Sequence, residues 1–129
     1  MSGNDRQPLP TEAELDILHI LWANGPQTVR EVHGALRDKQ TGYTTVLKQM
    51  QVMMEKGLLR RNERFRSHVY APKHGRERTQ QRLVADLLHR AFSGSAKNLV
   101  LGALSARPVS PEELIEIKAA IRQFEEEPS

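Results

Sequence analysis

The sequence predicts a mainly α-helical chain carrying one small β-hairpin, and three observations predict it. Apolar residues recur at spacings of three and four over most of the chain. Pairs of residues suited to helix capping stand just ahead of several of these stripes. Alternation of apolar with polar residues is confined to two short stretches either side of Glu63-Arg-Phe-Arg66.

Residues 1–8 read as a disordered leader. The first helix opens at Thr11, with Glu14 in capping-box spacing, and carries the stripe Leu15, Leu18, Leu21 and Trp22 until Asn24-Gly-Pro26 stops it. Trp22 is expected to anchor the core, with its N–H needing a partner. A second box, Thr28 with Glu31, starts a short helix through Val29, Val32, Ala35 and Leu36, which runs out in the polar loop Arg37–Gly42. The third helix follows, closed by Lys56-Gly57, with Val46, Leu47, Met50, Met53, Met54 and Leu58 on one buried face. Its outward side then holds Thr44, Thr45, Lys48 and Gln51, with Gln49 at the flank and no carboxylate before Glu55. Hydroxyls, an ammonium and carboxamides can donate to phosphates and base edges, and a hydroxyl at the helix start can also cap it. Leu58–Asn62 and Ser67–Ala71 form the two strands, closed by Pro72. Three helices with a turn between the second and third, then a hairpin with Arg64 and Arg66 at its tip, describe a winged helix-turn-helix over residues 9–73. In that arrangement the third helix enters the major groove and the two arginines reach the flanking backbone or minor groove.

From Gly75 the character changes. Glu77–Phe92, Ser95–Leu104 and a helix capped by Ser110 with Glu113, with Pro111 at its first position, are all amphipathic or richer in apolar residues than that. Three short helices over about 50 residues cannot bury this much apolar surface by themselves, so residues 74–126 are expected to form a helical dimerisation region that packs on a second copy. Leu87, Leu88, Leu99, Val100, Leu114, Ile117 and Ile121 are the residues expected at that contact.

Charge is segregated along the chain. Seven basic residues (Lys48, Lys56, Arg60, Arg61, Arg64, Arg66, Lys73) stand against Glu55 and Glu63, whereas the tail from Glu112 has six glutamates against Lys118 and Arg122. A polyanion would meet the middle of the chain and avoid its end. With no cysteine there is no disulfide, thiolate nucleophile or cysteine-ligated metal. The five histidines (His19, His33, His68, His74, His89) lack metal-ligand spacing, and no nucleophile stands beside a base, so neither a cofactor nor an enzymatic activity is expected. No apolar run approaches the roughly 18 residues of a membrane span and no signal peptide opens the chain, which fits a cytoplasmic protein.

These residues resemble the penicillinase-repressor (BlaI/MecI/CopY) family of winged-helix regulators. The resemblance is carried by Leu9-Pro-Thr-Glu-Ala-Glu-Leu-Asp-Ile-Leu18, Leu21-Trp22, Gly25-Pro26 with Thr28-Val-Arg-Glu-Val32, Gly42-Tyr-Thr-Thr-Val-Leu47, Glu55-Lys-Gly-Leu-Leu59 and His68-Val-Tyr70. It implies a homodimer whose winged helix reads a palindromic operator, with recognition contacts from Thr44, Thr45, Lys48 and Gln51 and wing contacts near Arg64 and Arg66. Two departures stand out. Antibiotic-responsive members are inactivated by a partner protease that cuts an Asn-Phe bond, where this chain reads Gly102-Ala103, so regulation by that cut is doubtful. Copper-responsive members carry Cys-x-Cys pairs, which a chain without cysteine cannot. The function expected is therefore a sequence-specific transcriptional repressor, occluding a promoter from two half-sites about one helical turn apart. The alternative is a winged helix that serves as a protein-interaction module, its basic hairpin meeting an acidic partner.

Overall fold

The computed structural model describes residues 8–38, 40–62 and 68–127. Its elements run α1 (Glu12–Asn24), α2 (Val29–Ala35), α3 (Tyr43–Glu55), β1 (Leu59–Asn62), β2 (Val69–Pro72), α4 (Arg76–Phe92), α5 (Ala96–Ala106) and α6 (Pro111–Glu126). This is the mainly helical class with one antiparallel hairpin, in which Leu59 pairs with Pro72 and Asn62 with Val69. The chain divides into two compact units, the first ending at Ala85 and the second beginning at Asp86, with α4 continuing across the division.

Local chemistry sets the helix ends. Thr11 and Thr28 each accept from the backbone N–H three residues on, at 3.2 Å in both cases, while Glu14 and Glu31 reach back to the threonine N–H at 2.9 Å. Both predicted capping boxes are thus closed. Ser110 forms the forward half of the third, accepting from the Glu113 N–H at 3.0 Å. At the end of α3, the Leu58 N–H bonds the Met53 carbonyl and the Gly57 N–H that of Met54, a Schellman motif. Gly57 takes φ 81°, a left-handed value that a side chain would strain, and this turn launches β1.

The core of the first unit is built from its first three helices and the hairpin: Ile17, Leu18 and Leu21 of α1, Val29 and Val32 of α2, Val46, Met50 and Met53 of α3, then Leu58, Leu59 and Tyr70. The α3 stripe behaves as its spacing predicts, with Leu47 and Met54 packed at its margins. Three details differ from the sequence reading. No threonine caps α3; Gly42 is its N-cap without a side-chain bond, because the helix starts at Tyr43 and Thr44 and Thr45 fall inside its first turn. Pro72 does not lie beyond the second strand but is its last residue, as a strand end tolerates. Trp22 packs against this core as expected but from its margin, half-buried rather than enclosed, and its Nε1–H donates to the His74 carbonyl at 3.1 Å. A further pairing had no sequence signal: Gln27, between α1 and α2, exchanges backbone bonds of 3.0 and 2.8 Å with Tyr70, tying the hairpin to the helices.

In the second unit, Ser93 (φ 50°) and Gly94 (φ 82°) turn the chain between α4 and α5. Gly102 of α5 faces the Phe92 ring at the end of α4, where an added Cβ would make an ordinary van der Waals contact at 3.5 Å. No residue of α5 or α6 is buried.

Candidate nucleic-acid interface

Burying one side of α3 dictates what its other side shows. Thr44, Thr45, Lys48 and Gln51 are all exposed, and Gln49 is half-buried at the flank. Thr44, Thr45, Lys48, Gln49 and Val52 line a shallow depression of about 360 Å³, with Thr11 and Glu14 of α1 at its edge. Because Gly42 offers no side-chain cap, the first turn of α3 presents backbone N–H groups at the positive end of the helix dipole, which suits a phosphate oxygen.

Two contacts hold this helix in place. At its start, His33 Nε2 lies 2.9 Å from the Thr41 carbonyl, and the His33 ring meets Tyr43 edge-on at 6.2 Å, so the turn between α2 and α3 is fastened to α2. At its end, Lys56 Nζ lies 2.7 and 2.9 Å from the two carboxylate oxygens of Glu14, which is buried. Glu14 thereby links the capping box of α1 to the end of α3. Neither contact has a sequence signal, since the partners of the second stand 42 residues apart. The ion pair also revises the charge count: Lys56 belongs to the middle basic group in sequence but spends its charge on Glu14.

Arg60 and Arg61 of β1 are exposed. Arg64 and Arg66, the expected wing contacts, lie outside the described residues. Among the described residues, no group of three or more His, Asp or Glu could hold a metal ion, and no helix is long and apolar enough to cross a membrane.

The expected dimer residues fall into two sets. Leu87, Val100, Leu114 and Ile121 are exposed, whereas Leu88, Leu99 and Ile117 are half-buried within their own unit. Exposure also extends to residues that the sequence reading did not place there, above all Ile115 at 66% and Phe124 at 78%.

Comparison with known proteins bears on this arrangement. The family model described as penicillinase repressor matches residues 10–123. Two relatives, each called transcriptional regulator BlaI, come from Mycobacterium tuberculosis strains CDC 1551 and H37Rv. Each is 32% identical to this chain over 116 residues, covering 88% of this chain and 83% of the relative.

Proposed function

The chain belongs to the penicillinase-repressor family, and from that premise we propose that it represses transcription as a homodimer, each protomer laying α3 into the major groove of one half of a palindromic operator. The observation that carries this reading is the outward side of α3, where Thr44, Thr45, Lys48 and Gln51 stand exposed with no carboxylate among them. Lys48 supplies phosphate or guanine contact, and the two hydroxyls and the carboxamide discriminate base edges. Arg64 and Arg66 contact DNA beside the groove. Affinity comes mostly from neutralised phosphates and falls steeply with salt.

Pairing is needed because one recognition helix reads too few base pairs for a unique site, and a two-fold protein matches a two-fold operator. The open apolar residues of α4, α5 and α6 support self-association through the second unit, with the exposed Leu87, Val100, Leu114 and Ile121 and the half-buried Leu88, Leu99 and Ile117 at the contact. Nuclease protection on DNA upstream of the gene's own operon tests the reading. Two protected segments about one helical turn apart, persisting against excess random duplex, are expected. Uniform weak protection, erased by the competitor, would favour the protein-interaction module instead.

A further inference from the structure

Ahead of α4, the large hydrophobic side chains exposed among the described residues are Tyr43 and Val52, both on α3. Tyr43 is accounted for by its place: it opens the helix, and its ring rests edge-on against His33. Val52 belongs neither to the helix start nor to the core cluster. At about 100° per residue it lies roughly 40° around the helix from Lys48 and roughly 20° from Thr45, well away from the buried Met50 and Met53. It also shares a depression with Thr44, Thr45 and Lys48. A single exposed valine needs no explanation by itself. This one, 38% exposed, stands within a face whose other members are all hydrogen-bonding groups.

The major groove offers donors and acceptors at every base pair, and one apolar feature, the 5-methyl group of thymine. An isopropyl group has nothing to give a donor or an acceptor, but it can remove that methyl from water. We propose that Val52 is a specificity-determining residue that packs on a thymine 5-methyl in each half-site, beside the base or phosphate held by Lys48. The inference rests on the assignment of α3 as the recognition helix, and adds to it a preference that hydrogen bonding alone would not produce.

The test starts from duplexes that the full-length protein selects from a random pool. Each thymine of the selected half-site is replaced, one at a time and symmetrically in both halves, by deoxyuridine, which keeps the pairing and lacks only the methyl. One position is expected to weaken binding about threefold to fivefold per half-site, the worth of one methyl returned to water. Val52→Ala and Val52→Thr should weaken binding to the thymine duplex by a similar factor and be indifferent to deoxyuridine there, with unfolding midpoints like that of the parent because the side chain lies outside the core. If no thymine matters, or if both variants keep the full deoxyuridine penalty, the proposal is overturned while the recognition helix stands. If the parent selects no sequence at all, the assignment of α3 fails and the proposal goes with it.

Discussion

Replacing Glu14 by glutamine should cost far more stability than removing an exposed charge from the first unit, because its carboxylate is buried and paired with Lys56. The carboxylate accepts from Lys56 Nζ at 2.7 and 2.9 Å and from the Thr11 N–H at 2.9 Å, with side-chain exposures of 8% for Glu14 and 23% for Lys56. Removing one partner of a fully buried pair costs about 3 to 5 kcal/mol, because the remaining charge is left without water. Here Lys56 can rehydrate in part, and the glutamine oxygen can keep the bond to Thr11, which lowers the expected loss to about 2 kcal/mol. In a unit of this size that is a drop in Tm of roughly 8 to 16 °C. Lys56→Met should cost more, about 3 kcal/mol, since it strands the better-buried carboxylate. Denaturant unfolding of both single variants and the double variant, followed by circular dichroism, gives the coupling energy, expected to be at least about 1.5 kcal/mol. Two single losses below about 0.5 kcal/mol, or losses that simply add, would refute the claim that this pair fastens α3 to α1.

Three further outcomes are expected. Lys48→Ala should leave the unfolding midpoint unchanged, weaken operator binding by about 1 to 3 kcal/mol per half-site and lower the log-log salt slope by about 1 per protomer, read by fluorescence anisotropy. Ile115→Glu places a charge on a side chain that is 66% exposed, so each unit should fold while self-association weakens, measured by sedimentation over a concentration series. Burial pushes the His74 imidazole below its ordinary pKa, and Arg78, Arg82 and Lys73 push the same way. The unfolded chain therefore binds this proton more readily, and stability should decline as pH falls below about 6.5, a decline that His74→Gln should reduce in thermal melts at pH 7 and pH 5.

What the sequence made legible was the chemistry that acts over a few residues. Thr11 with Glu14 and Thr28 with Glu31 mark helix starts because each pair closes its own bonds, and the α3 stripe separates inside from outside because burial follows helical spacing. The outward side of α3 was legible as the complement of that stripe. Contacts between distant residues were not. The Gln27–Tyr70 bridge is made by backbone groups that every residue has, and the bond from Glu14 to Lys56 needs the fold before it can form. Val52 escaped for another reason: helical spacing sets it beside Thr45 and Lys48, but an apolar residue there breaks the pattern of the polar face, and its exposure is what shows that it stays out of the core.

The central claim is that paired protomers use α3 to distinguish one DNA sequence from others. Competition binding tests it most directly, with a labelled duplex from the upstream region displaced either by its unlabelled copy or by random-sequence duplex, for the parent and for Lys48→Ala. The parent should require at least about a thousandfold more random duplex than specific duplex for equal displacement, and Lys48→Ala should narrow that ratio. Equal displacement of the parent by both competitors would contradict the account.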